Sequence, residues 1–333
     1  MDDPAWPLWA AALLTGLAFG FVLQRGGFCL TRAISNLALM GDASIMRAYV
    51  LALLVAIVGV HVLTATGLVD VPVRPFRWAA NVLGGLLFGV GMILSGGCSG
   101  STWYRVGEGA IGAWVVLLGF AMGATATTVG VLAPVRAALA APGLTIAHAG
   151  GGSPTLASVL GLSPWIVIAV LAVAGGAWIA RGAREPEHGK WPWPLTGVAV
   201  GVLIAVGWWT SSFGDRPVGI TFASNTGHLL TYPLVGYPNR VTWSMAMLLG
   251  VPVGAWVSAW RAGEFRWKLP PGWSLVRIFG GGLLMGASAL VAEGCNITQG
   301  LTNSVTLSVG SLVAFLAMLA GAYATLWTLY LRK

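Results

Sequence analysis

Three cysteines, Cys29, Cys98 and Cys295, are the residues of this 333-residue chain best suited to chemistry, because one spacing places all of them. Each follows a Gly-x3-Gly pair by nine residues: Gly16/Gly20, Gly85/Gly89 and Gly282/Gly286. A fourth pair, Gly197/Gly201, carries Thr210 at that offset, and the run Arg216-Pro-Val-Gly219-Ile-Thr221 that follows is similar to Arg25-Gly-Gly-Phe-Cys29 with threonine in place of cysteine. The pattern predicts four equivalent hairpins, each a small-faced helix ending in a Gly-rich loop. A thiol is a weak, polarisable hydrogen-bond donor that suits a soft sulfur acceptor. Weak donors in series hold a solute loosely enough for it to leave. A buried free cysteine is otherwise a small hydrophobe, but three thiols on one ruler in Gly-rich turns argue for a role. The neighbours expected to share it are Gly27, Gly97, Ser99, Gly294, Asn296 and Thr221. Residues 95–100, Ser-Gly-Gly-Cys-Ser-Gly, resemble a phosphate loop but lack its Lys-Ser/Thr ending.

The elements that position these loops must be membrane helices. Hydrophobic residues make up 57% of the chain and charged residues 8%, and the mean hydropathy is +0.82, which places the chain in the integral membrane class. The acidic start Met1-Asp-Asp-Pro is unlike a signal peptide, so the first apolar segment is expected to be retained. The formal charge of +8 comes from Lys and Arg scattered at helix ends with no basic block, which fits topology rather than nucleic-acid binding. Three cysteines cannot all pair, and none has a C-x2-C or His-x3-His neighbour, so neither a disulfide framework nor a metal site is expected, and no cofactor.

Nine segments are long and apolar enough to span or nearly span a bilayer: 7–24, 46–68, 78–95, 109–133, 164–181, 194–211, 241–260, 274–292 and 308–331. The predicted fold class is therefore an all-α polytopic membrane protein. The stretches 25–37, 96–108, 212–228 and 293–306 are richer in Gly, Ser, Thr and Asn. Irregular backbone at membrane depth is tolerated only when buried in protein or lining a cavity, so short re-entrant helices are expected at Leu30 to Leu39, Ser99 to Tyr104 and Asn296 to Thr302. The stretch 134–163, with Pro134, Pro142, His148, Gly150 to Gly152 and Pro154, reads as an outer loop with a short surface helix.

With the N-terminus outside, the inner face collects Arg25, Arg32, Arg47, Arg105, Arg181, Arg184, Lys190, Arg261, Arg266, Lys268, Arg277, Arg332 and Lys333, leaving Arg74, Arg77, Arg136, Arg216 and Arg240 outside. This bias predicts the N-terminus outside and the C-terminus inside. Helices one and three then run inward and their matching helices six and eight outward. The chain reads as an inverted repeat, 1–184 and 185–333, within one membrane domain and joined through the polar linker Arg181 to Lys190. Broken helices of such repeats meet at the membrane midplane.

Among other candidates, Arg25, Arg105, Glu108 and Glu293 lie beside the loops, where charge is costly; an Arg105–Glu293 pair is the bland expectation. His61 on an apolar helix is expected to be a satisfied core residue. Trp6, Trp9, Trp78, Trp191, Trp193, Trp267 and Trp273 fit interfacial belts. The glycine pairs are expected to pack helices closely, while loop glycines Gly26, Gly27, Gly96, Gly97, Gly100, Gly294 and Gly300 permit left-handed turns and expose N–H groups to an anion.

Gly27-Phe-Cys29, Ser95-Gly-Gly-Cys98-Ser-Gly100 and Glu293-Gly-Cys295-Asn-Ile-Thr-Gln-Gly300 resemble, in order and across nearly the whole chain, the motifs of the YeeE/YedE family of bacterial inner-membrane transporters for sulfur compounds. The resemblance implies an hourglass narrowed by four central loops, with Cys29, Cys98 and Cys295 relaying thiosulfate by S–H···S hydrogen bonds. It implies no enzyme activity, a surrounding of membrane lipid, and a small cytoplasmic TusA-like sulfur-carrier partner. Other members handle selenium or other sulfur species. Competing classes are a membrane thiol oxidoreductase, which needs two cysteines close enough to bridge, and a docking subunit for a sulfur-transfer protein. No ATP-binding motif is present, so the expected energy source is a gradient or trapping of the imported ion.

Overall fold

The computed structural model describes residues 6–147, 152–182, 189–214, 217–232 and 242–332; Arg184, Arg216, Arg240, His148, Gly150, Lys333 and most of the polar linker fall outside these. The long helices are α1 (Trp6–Gly26), α3 (Ser44–Ala65), α4 (Trp78–Ser95), α6 (Ile111–Thr128), α9 (Pro164–Ala180), α10 (Trp193–Ser211), α12 (Trp243–Arg261), α13 (Gly272–Val291) and α14 (Val309–Leu326). Short helices follow four of them: α2 (Leu30–Met40) after α1, α5 (Ser99–Gly107) after α4, α11 (Ala223–Thr231) after α10, and a π-helical turn, Thr298–Thr302, after α13. The 134–163 stretch forms two short helices, Ala133–Leu139 and Leu156–Leu160, and a two-residue ribbon pairing Phe76 with Ile146.

Eight helical segments among the described residues are long and apolar enough to cross a membrane, and α9, at 17 residues, falls just short. At 1.5 Å per residue it still spans about 25 Å, close to the hydrocarbon thickness of about 30 Å. Helix direction shows that it crosses. Gly26, at the end of α1, lies against Thr196 near the start of α10, and Gly214, just past the end of α10, lies against Leu8. The two helices are antiparallel, which requires an odd number of crossings between their starts, and α9 supplies the fifth. It packs on the outside of α3 with Val170 and Val173 exposed.

The glycine pairs make the architecture. A Cβ on Gly16 or Gly20 would fall on the carbonyls of Met247 and Val251 of α12, and one on Gly85 or Gly89 on those of Ala314 and Met318 of α14. Gly197 and Gly201 face the Ala48 and Ala52 carbonyls of α3, and Gly282 and Gly286 those of Val116 and Phe120 of α6. Every pair thus docks its helix onto the opposite half of the chain. Exchanging α1, α3, α4 and α6 for α10, α12, α13 and α14 turns each packed pair into another, α1·α12 into α10·α3 and α4·α14 into α13·α6. The self-paired contacts α1·α10 and α4·α13 are antiparallel, the latter through Gly84 against Ala292 and Gly281 against Leu94 and Ser95. The halves are interlocked, not set side by side.

A polar knot ties the ends together on one face. Buried Gln24 donates from Nε2 to Glu264 Oε2 at 2.7 Å and Glu108 Oε1 at 3.1 Å, and accepts at Oε1 from Ser258 at 2.5 Å. Lys190 Nζ donates to Glu264 Oε2 at 2.7 Å. Partial burial alone would raise the Glu264 pKa, but hydrogen bonds from Lys190 and Gln24 and the charges of Lys190 and Arg25 outweigh it and hold the carboxyl below its ordinary value.

Two predictions follow from this packing. On α13, a Cβ at Gly286 would strike the Phe120 carbonyl, whereas one at Gly280 meets open space. Gly286→Ala is expected to lower thermal stability in detergent by about 1–3 kcal/mol through overpacking, and Gly280→Ala to leave it level or raise it slightly by removing backbone freedom. A depressed folded pKa means that Glu264 stabilises above the ordinary glutamate range and loses that contribution as pH falls through its folded value. The melting-temperature difference between the wild-type protein and Glu264→Gln should be largest near neutrality and close as pH drops below about 4.

Candidate functional site

The four polar stretches converge in the interior. Each of the three cysteines opens a short helix with its backbone carbonyl: Ala33 N–H donates to Cys29 O, Thr102 N–H to Cys98 O, and Gln299 N–H to Cys295 O, at 2.9, 2.9 and 2.7 Å. A left-handed residue sits two positions before each: Gly27 (φ 57°), Gly96 (φ 71°) and Glu293 (φ 60°). The remaining stretch, the third in chain order, repeats this with Gly219 (φ 58°) and Thr221 two residues on. The reversal that ends the long helix therefore places the thiol, and it identifies Thr221 as the fourth member. Thr210 is not in the loop at all; α10 runs further past its glycine pair than its counterparts do and keeps Thr210 helical, its Oγ1 bonded to Val206 O at 2.9 Å and 3.4 Å from Thr15 Oγ1. Of the loop glycines expected to be left-handed, only Gly27 and Gly96 are; the others sit in or beside helical turns. Gly97 and Gly294 each precede a cysteine because a Cβ there would come within 2.9 Å of the next turn, at Ser101 and Thr298.

Contacts run through the loops in series. Thr302 Oγ1 donates to Ile220 O at 2.7 Å and Trp208 Nε1 to Thr302 O at 3.0 Å, joining the third loop to the fourth. Ser99 Oγ donates to Asn296 Oδ1 at 3.0 Å, joining the fourth to the second. Cys29 of the first loop and Ser101, one turn past Cys98 of the second, line the same cavity, which sets those two loops side by side. The exchange that turns α1 into α10 and α4 into α13 relates the third loop to the first and the fourth to the second, the equivalence that sequence reasoning draws among the four hairpins. Tyr49, which that reasoning missed, braces the cluster: its ring lies between Phe28 and Phe315, with centroids 5.1 and 5.3 Å away, and its hydroxyl donates to Asn296 O at 2.6 Å. Its spacing on an apolar helix carried no signal.

All three thiols are buried, with Cys295 at 0% and Cys29 at 5% exposure. Cys98 Sγ accepts from Ser101 N–H at 3.4 Å, and Cys295 Sγ lies 3.4 Å from Thr298 Oγ1. Thr221 Oγ1 accepts from Asn225 Nδ2 at 2.7 Å. Asn296 is fully buried, yet its Nδ2 has no partner. A buried unpaired donor costs about 1–3 kcal/mol, which marks it as a group awaiting an acceptor.

Cys29 and Gly27 open on a vestibule of about 820 Å³, lined by Arg32, Arg105, Lys190, Arg266 and Lys268 against Glu108 and Glu264. Of these, Arg105 donates to Gly96 O at 3.1 Å. It does not pair with Glu293, whose carboxylate instead meets Arg77 at the start of α4. Arg105 and Glu293 belong to loops that end antiparallel helices and so face opposite sides. His61 is satisfied by Ile57 O at 2.9 Å and packs edge-on to Trp165. Trp6, Trp9, Trp78, Trp267 and Trp273 are exposed as belt residues, while Trp193 is buried. No cluster of metal-binding side chains occurs among the described residues.

The family described as sulphur transport (Sulf_transp) matches residues 25–324, nearly all of this architecture and every loop. The chain is 31% identical to the thiosulfate transporter TsuA of Spirochaeta thermophila over 96% of its own length and 98% of that protein's. It is 29% identical to the thiosulfate transporter TsuA of Escherichia coli K12, over 97% and 95%. It is also 35% identical to the probable transporter YedE of Salmonella typhimurium, over 36% of this chain and 29% of that one. With a continuous match over three linked cysteine loops and the helices that carry them, the chain belongs to the sulphur transport family and is a multi-pass membrane transporter, not an enzyme.

Proposed function

We propose that this protein takes up thiosulfate, or a closely related sulfur anion, across the bacterial inner membrane, and that its three thiols relay the anion through the interlocked loops. The observation that carries the reading is the run of contacts that ties the third loop to the fourth and the fourth to the second, with Cys29 and Ser101 side by side on the vestibule wall. The repeats 1–184 and 185–333 supply two loops each, so the path runs along their boundary.

The chemistry follows from the groups present. Thiosulfate has a soft terminal sulfur and three oxygens. A thiol donates weakly to the sulfur, and the unpaired Nδ2 of Asn296 and the hydroxyls of Ser99 and Thr221 suit the oxygens. Because Ser101, whose N–H bonds the Cys98 thiol, shares the vestibule wall with Cys29, an anion leaving Cys98 meets a polar group and then the next thiol. The hydrogen bonds given for the Cys98 and Cys295 thiols go to neutral groups, Ser101 and Thr298, which suits sites too shallow to trap the ion. Positive charge gathers instead in the vestibule, where it draws the anion out of the constriction. The Lys and Arg bias places that vestibule at the cytoplasm, with the N-terminus periplasmic, and a TusA-like sulfur carrier would meet the released anion there.

Uptake of labelled thiosulfate into cells lacking their own transporter tests this, with sulfate and selenite as competitors. Cys98→Ala is expected to abolish uptake at normal expression, and Cys98→Ser to leave a small fraction or none, since a hydroxyl keeps a donor but loses the soft match to sulfur. Thr221→Val should slow uptake by severalfold, the effect of one neutral hydrogen bond of about 1 kcal/mol. Full uptake in Cys98→Ala and in the corresponding alanine variants of Cys29 and Cys295 would show that the thiols only pack.

A further inference from the structure

The thiol loops differ in one respect that the family reading does not explain. In three of the four stretches the left-handed residue two positions before the path-facing side chain is glycine, and in the fourth it is Glu293. For a residue with a Cβ this conformation is strained, and such strain persists only where surroundings enforce it. The surroundings here are specific. The Glu293 carboxylate pairs with Arg77, and both side chains are largely buried, at 16% and 28% exposure. Arg77 is fixed by its backbone N–H, which donates to Asn81 Oδ1 at 3.1 Å, while Asn81 Nδ2 donates to Ala292 O at 3.3 Å. Gln299 Nε2 donates to the same carbonyl at 2.5 Å. The start of α4 thus holds both Glu293 and the carbonyl just before it. Among the described residues the other non-glycine in this conformation is Leu307 (φ 56°). The two bracket the segment that carries Cys295, Asn296 and the π-helical turn, an element type often found at functional positions.

We propose that Glu293 is a positioning residue for Cys295: its ion pair with Arg77 holds the left-handed turn that keeps the thiol inside the loop cluster. The inference rests on the reading of Cys295 as part of the path. Substrate does not touch Glu293; the carboxylate acts through the backbone of residues 293–295. Glycine does the same work elsewhere by having no Cβ, so at this site a side chain and its partner replace what glycine supplies. The arrangement makes the position of Cys295 depend on an ion pair that can be broken.

The test uses the full-length protein in membranes and two readouts: the alkylation rate of Cys295 by N-ethylmaleimide, resolved by peptide mass spectrometry, and the kinetics of thiosulfate uptake. Arg77→Ala in the wild-type background should raise Cys295 labelling by about tenfold, the release of roughly one left-handed residue's strain, and lower maximal uptake with little change in KM. Glu293→Gly keeps the turn without the latch and should match the wild-type protein in both readouts; adding Arg77→Ala to Glu293→Gly should then change neither. Glu293→Ala should behave like Arg77→Ala. The proposal is overturned if Arg77→Ala leaves labelling and uptake unchanged, if it has the same effect in the Glu293→Gly background, which would show Arg77 acting without the carboxylate, or if Glu293→Gly itself behaves like Arg77→Ala, which is what a pair acting only on stability would give. Loss of the path reading is distinguishable, because it would show as full uptake in Cys295→Ala whatever the Arg77 variants do.

Discussion

The structure depends on helix backbones approaching closely enough that a side-chain carbon has no room between them. In lipid there is no hydrophobic gain from pressing one apolar helix on another, so association rests on van der Waals contact. The glycine pairs at Gly16/Gly20, Gly85/Gly89, Gly197/Gly201 and Gly282/Gly286 provide it, each against carbonyls of a helix from the other half. Because each helix that ends in a loop is gripped by the opposite half, its end is held inside the protein. The four loops are delivered to the interior as a result of that grip.

Once there, the loops face a second constraint, since non-helical backbone at membrane depth must find partners within the protein. They find them in one another. Thr302 bonds Ile220, Ser99 bonds Asn296, and Tyr49 bonds the Asn296 carbonyl. On the proposed path, the bonds that make the loops tolerable also set which loops lie next to one another. Asn296 Nδ2 is the exception left open among these groups.

Much of this was legible in the sequence. Glycine spacing marks the close-packed helices, and the coincidence of all three cysteines with it marks the loops, because both patterns are local. The nine helices, the antiparallel halves and the re-entrant helices after Cys29 and Cys98 followed from hydropathy and charge. What failed was what local counting cannot see. The offset from the glycine pair pointed to Thr210, but α10 continues past that point, and only backbone conformation shows that Gly219 and Thr221 are the counterparts of Gly27 and Cys29. Glu293 was assigned the charge nearest in the motif set, Arg105, where its partner is Arg77, some 216 residues distant in sequence. Left-handed geometry at Glu293 was hidden for the same reason: glutamate does not announce it as glycine does.

The central claim is that the three thiols line one path on which a sulfur anion moves. The most direct measurement is an anomalous difference map from crystals of the protein grown with selenosulfate, whose selenium takes the place of the terminal sulfur of thiosulfate. The account predicts selenium peaks within hydrogen-bonding reach of Cys29, Cys98 or Cys295, enclosed by the four loops. Peaks confined to the vestibule rim or the lipid-facing surface, at occupancies that show the anion bound but away from every thiol, would contradict it.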